Sequence, residues 1–317
     1  MINGILTKRS FERAHSFDII YEWEDVISKI NGIALCDDKA LLSNKFGHRI
    51  PFLFKLLMED NTYFQYDMYA DISIHRNRNV YNMIPCVIDF YCKKDELKKF
   101  EDNYKKNPIV FISSKEAYDF LKDNDCQLNF HHLPLSLSDS YKGFVGRQKI
   151  YDVAVMGRRN PVLMSFLEQY SKKRSGLKIV MNGEIDGKRF FCTQEKEFVS
   201  ENSRANWFDV LSRTKVVFYH TPGVDGGEAR TNGFNQVTPR FLEGIACGCH
   251  VISRYENNSD TDFYELDKMT CNIRDYQQFE REMDRALSES VNKECYNDYM
   301  LKHYTSTVAK LLNDCTK

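Results

Sequence analysis

Residues 235–253, N-Q-V-T-P-R-F-L-E-G-I-A-C-G-C-H-V-I-S, confine a helix start, a short helix, a glycine stop and a strand to one run of chain. Thr238 followed by Pro239 marks the start. A threonine hydroxyl can accept from an N–H of the first turn, and proline at the first helical position has no N–H to lose. Phe241, Leu242, Ile245 and Ala246 fall on one face at helical spacing, and Gly248 supplies the positive φ that stops the helix. A helix joined so closely to a strand belongs to an α/β arrangement. Arg240 and Glu243, three apart, share a different face. A helix N-terminus that opens into a cleft offers N–H groups and a positive dipole end to an anion, phosphate above all. A carboxylate one turn further in can accept from a pair of hydroxyls. The ligand-contact candidates of this stretch are Asn235, Gln236, Thr238, Arg240 and Glu243.

The same rhythm is read upstream. Residues 151–156 form a buried strand that ends in Gly157-Arg158-Arg159-Asn160-Pro161. Asn160 caps and Pro161 opens a helix whose apolar face is Val162, Leu163, Phe166, Leu167 and Tyr170, closed by Lys172, Lys173 and Arg174. This unit is the first βα of a Rossmann-like half, which puts its loop at the carboxyl edge of the sheet, where ligands bind. Gly157, Arg158 and Arg159 are therefore candidates to hold a diphosphate, with turn-capping surface arginines as the other reading. Strands are further expected at 177–181 and 216–219, and helices at 206–213, 276–287 and 296–312. A loop carrying Gly223, Gly226, Gly227 and Gly233 delivers the chain to 235–253.

In the first half, residues 85–90 read as a strand ending in Asp89, 93–106 as a charged helix, and 108–114 as a strand. Ser113 and Ser114 can cap a helix at 115–122. Strands are expected at 17–21 and 32–36 and a helix at 49–58. The basic cluster at 75–79 reads as a solvated loop, or as a contact to acceptor or membrane phosphates. Residues 136–148, polar and without apolar periodicity, read as a linker.

At 317 residues the chain has room for two cores. Its 42% apolar and 28% charged content is that of a soluble globular protein. A net charge of −1 argues against nucleic acid as a partner, which demands surplus lysine and arginine. With no apolar run long enough for a membrane span and no signal-like start, the cytosol is the expected location. Ten cysteines scattered from Cys36 to Cys315 read as reduced thiols, and Cys247, Cys249 and His250 as buried corner residues more than as metal ligands. No G-x-x-x-x-G-K-[ST], G-x-G-x-x-G or G-x-S-x-G appears.

The run F-L-E-G-I-A-C-G-C-H-V-I-S resembles the donor-binding segment of GT-B nucleotide-sugar glycosyltransferases of the group 1 type, where E-x7-E precedes A-C-G and a strand. Its flavour is that of the CgeB-like branch, R-x-x-E-x-x-A-C-G. The resemblance gives Glu243 the role of holding the nucleotide ribose. The place of the first glutamate is taken here by Asn235, which leaves the grip on the donor sugar and the stereochemistry open. It implies an α/β chain of two Rossmann-like domains facing a central cleft. The boundaries expected are an acceptor-side domain at 1–145, a donor domain at 146–290 and a helical stretch at 291–317 returning to the first domain.

The activity so implied is transfer of a sugar from a nucleotide-activated donor to a hydroxyl of a glycan or lipid-linked glycan, as in cell-surface polysaccharide synthesis. Peripheral association with the inner face of the membrane fits such an acceptor. No cofactor and no metal are expected, because the leaving phosphate's charge can fall on the helix start at Thr238 and on Arg158, Arg159 and Arg240. Asp89, at a strand end, is the candidate proton acceptor for an inverting reaction. Two alternatives share the architecture: a sugar-nucleotide epimerase, and a nucleotide-sugar-binding protein without catalysis.

Overall fold

The computed structural model of the chain describes residues 2–10, 12, 14–37, 62–72, 82–145 and 147–316. Two compact units emerge. One comprises Met1–Asp139, Glu228–Gln236 and His303–Lys317, the other Ser140–Gly227 and Val237–Lys302.

The first unit runs β1 (Ile2–Thr7), α1 (His15–Asn31), β2 (Ala34–Asp37), β3 (Thr62–Tyr69), β4 (Met83–Asp89), α2 (Leu97–Tyr104), β5 (Val110–Ile112), α3 (Lys115–Asp123) and β6 (Phe130–His132). Its six strands lie in the order β2-β1-β3-β4-β5-β6, all pairings parallel. Both faces of such a sheet must be covered, and β5 shows how. Phe111 points into a core with Ile20, Trp23 and Ile27 of α1 and Val308 and Leu312 of the closing helix Thr305–Cys315. Val110 and Ile112 point into the opposite core, with Phe90, Phe100, Tyr104 and Leu121.

The strand expected at 17–21 is instead part of α1, because Ile20, Trp23 and Ile27 are buried at three- and four-residue spacing, a helical stripe that outweighs the local β propensity. The strand expected at 32–36 forms as β2, displaced by one to two residues. The helix expected at 49–58 and the basic cluster at 75–79 lie outside the described residues.

The second unit runs β7 (Tyr151–Val155), α4 (Pro161–Lys173), β8 (Ile179–Ile185), β9 (Lys188–Thr193), β10 (Phe198–Glu201), α5 (Arg204–Ser212), β11 (Thr214–His220), α6 (Pro239–Ala246), β12 (His250–Arg254), α7 (Ser259–Phe263), α8 (Leu266–Met269), β13 (Cys271–Asn272), α9 (Tyr276–Ser288) and α10 (Lys293–Leu301). The sheet order is β10-β9-β8-β7-β11-β12-β13. The strands from β8 to β13 pair in parallel, whereas β9 and β10 add an antiparallel edge absent from the sequence reading. Leu163, Leu167 and Tyr170 of α4 pack with Phe279 and Met283 of α9 over Val153, Val216 and Ile252. Asn160 accepts from the Leu163 N–H and Pro161 opens α4, as the sequence indicates. On α6 only Arg240 is exposed, and a Cβ on Gly244 would come within 2.9 Å of Val217 and 3.0 Å of Val251. That glycine lets the helix lie directly on β11 and β12.

The helix expected over 296–312 is two helices. Lys293–Leu301 belongs to the second unit, held there by Tyr299, whose hydroxyl donates to the Tyr264 carbonyl (2.7 Å), and Thr305–Cys315 belongs to the first. Among the described residues no helix is long and apolar enough to cross a membrane.

Candidate functional site

In the second unit the strand order reverses at β7, which has β8 on one side and β11 on the other. Loops leaving neighbouring strands in opposite directions open a crevice at their carboxyl ends, the usual ligand position in open α/β sheets. The loop after β7 is Gly157-Arg158-Arg159, the end of β11 is His220, and the helix that follows begins at Thr238.

Gly157 has φ +78°, and its N–H donates to Oδ1 of Asn182 on β8 (2.6 Å). A Cβ there would lie 2.6 Å from the Arg240 guanidinium. Arg240 thus rests on bare backbone, and its charge also lies over the Trp207 ring at 5.8 Å. Thr238 is the N-cap by backbone conformation, but its hydroxyl makes no capping bond. This corrects the sequence expectation. The Thr238 N–H is drawn to the Tyr219 hydroxyl (3.0 Å), while its carbonyl accepts from the Phe241 N–H (3.1 Å).

His220 joins these groups. Its Nδ1 is 3.1 Å from the Thr221 carbonyl. Burial, with the Arg158 and Arg240 charges, pushes the imidazole below its ordinary value, against the Thr221 and Arg158 carbonyls that pull it up. The carboxylate that faces it, Asp225, is bound by Arg254 through Nε (2.6 Å) and Nη2 (2.7 Å) and by Asn160 Nδ2 (2.8 Å).

Glu243 lies a turn deeper, with 2% of its surface exposed. Arg204 donates to Oε1 and Trp207 Nε1 to Oε2 at 2.8 Å. Both partners come from α5.

The structure therefore brings Gly157, Arg158, Thr238 and Arg240 to one edge, with Glu243 behind them. Arg159 is exposed. Asn235 and Gln236 belong to the first unit. Phe234 is packed edge-on to Phe90 (5.9 Å) and Phe120 (5.3 Å), and this anchor carries its neighbours with it. The Asn235 N–H donates to Glu116 (2.7 Å) and Gln236 Nε2 to Ser113 Oγ (2.9 Å). Asp89, also in the first unit, pairs with Arg230 at 3.5 Å, and that guanidinium also faces the Tyr69 and Tyr91 rings. Of the two serines proposed as caps, Ser114 accepts from the Ala117 N–H, and Ser113 donates to the Ile88 carbonyl instead.

Two further features bear on metal. Asp260-Thr261-Asp262 has an Asp-x-Asp spacing, but it lies on α7, where residues two apart do not share a face. Asp260 is fully buried and accepts the Val237 N–H (2.8 Å), while Asp262 is exposed. Cys247 and Cys249 are buried against backbone carbonyls, and burial pushes the Cys249 thiol up to about 11. Among the described residues no group of three or more histidines, cysteines and carboxylates is placed to hold a metal ion.

Sequence reasoning missed His220, Asn182, Arg204 and Trp207. It also missed the corresponding switch point of the first unit, between β1 and β3. There Thr7 Oγ1 donates to Glu24 (2.6 Å), Arg9 pairs with Glu24 and Asp25, and Lys8 lies 3.6 Å from the buried Asp67. Glu24 is 2% exposed, and burial pushes its carboxyl up to about 7.

No family model matches the sequence, and no curated protein matches it. Solved structures do. A chain of the GtfA/B complex aligns over 85% of this chain with a TM-score of 0.54 and 10% identity. This chain spans about 59% of that protein's length. A putative UDP-N-acetylglucosamine 2-epimerase from Listeria monocytogenes aligns over 100% of this chain and 96% of its own, with a TM-score of 0.54 and 9% identity. Two parallel-dominated Rossmann-like units and these structural likenesses together establish the fold: the chain has the GT-B fold.

Proposed function

We propose that the chain is a glycosyltransferase that moves a sugar from a nucleotide-activated donor to a hydroxyl of a glycan or lipid-linked glycan. The nucleotide is held at the switch point of the second unit. The observation that carries this reading is the Arg240 guanidinium seated on Gly157, beside Arg158 and the start of α6, at the sheet edge where the fold takes its ligand. A leaving nucleoside phosphate gains negative charge as the glycosidic bond breaks, and preplaced guanidinium groups favour that transition state over the ground state. The reaction accordingly proceeds without a metal. Asp89 is the proton acceptor this reading assigns if the reaction inverts, once its pairing with Arg230 is exchanged for the acceptor hydroxyl.

Two measurements test it. A panel of nucleoside di- and monophosphates should raise the melting temperature, with diphosphates above monophosphates, and Arg240→Ala should abolish the shift. Turnover of the stabilising nucleotide's sugar conjugate should survive excess chelator; complete loss, restored by Mg²⁺ or Mn²⁺, would show that the arginines do not carry the charge. A second reading, the sugar-nucleotide epimerase, is favoured by the near-complete mutual coverage with the putative UDP-N-acetylglucosamine 2-epimerase. An epimerase converts its substrate with no acceptor present, so product analysis in the absence of acceptor separates the two.

A further inference from the structure

We propose that His220 is a ligand of the diphosphate and takes up a proton from solvent as the anion binds. The inference rests on the reading of this edge as a nucleotide site and adds to it a residue and a proton. His220 ends β11 at the switch point, and the groups around it come from every neighbouring element. Arg158 stands on the loop after β7, Arg240 on α6, and Asp225 on the loop after β11, the last bound by Arg254 of β12 and by Asn160. Tyr219 beside it on β11 is a buried phenol whose oxygen accepts from the Thr238 N–H.

The Thr221 carbonyl lies 3.1 Å from Nδ1, and the Arg158 carbonyl also favours the protonated ring. A neutral imidazole has one N–H to share between them, and an imidazolium has two. What keeps the ring neutral is burial together with the two guanidinium charges, and the facing carboxylate is already engaged. A diphosphate placed among these groups cancels the guanidinium penalty and adds an attraction of its own. Protonation then becomes favourable at a pH where the unbound protein holds the ring neutral. The equilibrium balances as protein plus diphosphate plus one H⁺ giving the complex with imidazolium. Because binding consumes a proton, affinity must fall as pH rises between the unbound and bound titration points. A merely structural histidine gives no such linkage.

The test is titration calorimetry near pH 7 in buffers of different ionisation enthalpy, with inorganic pyrophosphate and with UDP, GDP and ADP as probes. Expected are uptake approaching about one proton per anion and a Kd that rises by up to about tenfold per pH unit. His220→Gln and His220→Asn, checked by circular dichroism, should still bind, with uptake lowered by about one proton per anion and only the pH dependence of the diphosphate's own ionisation left. Uptake that is absent in the native protein, or unchanged in both variants, overturns the role of His220 and leaves the nucleotide site standing. Failure of every probe to bind overturns the site and this inference with it. Should neither variant fold, ¹⁵N-histidine spectra of the native protein decide. One ring must move from the neutral to the imidazolium pattern on addition of pyrophosphate, and its failure to move refutes the proposal.

Discussion

Replacement of Arg204 by methionine should destabilise the second unit more than replacement of its partner Glu243 by glutamine. Glu243 has 2% of its surface exposed, so loss of the guanidinium leaves a buried carboxylate with Trp207 Nε1 as its remaining donor. Breaking a buried pair in this way costs about 3–5 kcal/mol. The reverse change is milder. The Arg204 side chain keeps 20% exposure and lies against the Phe208 ring at 4.7 Å, so without its partner it can reach water, at a cost of about 1–3 kcal/mol. The double variant Arg204→Met/Glu243→Gln removes the stranded charge and should recover about 2 kcal/mol or more relative to Arg204→Met alone. Urea unfolding followed by tryptophan fluorescence suits the measurement, because the chain has two tryptophans and Trp23 lies in the first unit while Trp207 touches the pair. A Trp23→Phe background isolates the second unit. An Arg204→Met variant no less stable than Glu243→Gln, or a double variant no better than the sum of the singles, would refute the buried-charge argument. In that case Glu243 would be open enough to serve the ribose directly.

Two shorter predictions follow from the sites described. With the Glu24 carboxyl raised from 4.5 to about 7 by burial, its contribution to stability is fully present below about pH 4.5 and lost as pH rises through 7. The loss should amount to about 3 kcal/mol at most, read as a falling melting temperature between pH 5 and 8 that Glu24→Gln flattens, and a native profile as flat as the variant's would count against the assignment. Gly157→Ala places a Cβ at φ +78° and 2.6 Å from the Arg240 guanidinium; it should cost about 1–2 kcal/mol of stability and at least about tenfold in nucleotide affinity, and calorimetry showing native affinity would separate Arg240 from the phosphate site.

The second unit is more legible in the sequence than the first, for physical reasons. Its strands and helices alternate with explicit punctuation: Asn160 and Pro161 open α4, and Gly248, at φ +65°, follows α6. These are local backbone requirements, which residue identity encodes directly. The strands β9 and β10 escaped because they are short, begin or end in charged residues and pair as hairpins. The turn before β9, Asp186-Gly187 with both residues at positive φ, was the available signal. In the first unit α1 was misread because Phe17, Ile19, Ile20 and Tyr21 look like a strand over a short window, and only the longer spacing to Trp23 and Ile27 reveals the buried stripe. At the candidate site, the loop after β7 and the start of α6 could be read from sequence position. A single histidine at a strand end carries no pattern, so His220 became visible only when the sheet order set β11 beside β7. The assignment of Asn235 and Gln236 to the first unit is likewise a tertiary fact, set by where Phe234 is buried.

The first unit is assembled from three separated stretches of chain, the last of them the helix Thr305–Cys315, whose Val308, Ala309 and Leu312 share a core with Ile5, Ile20 and Ile27. On the ribosome, domains ordinarily condense in the order of their synthesis. Here that order is inverted. The core on the α1 side of the first sheet lacks Val308, Ala309 and Leu312 until the helix Thr305–Cys315 has been made, whereas the second unit has its last residue, Lys302, before that helix. The contacts that close the first core span nearly the whole sequence, a separation that slows folding and prolongs exposure of apolar surface. Of the two units, the one that starts earlier along the chain is completed later.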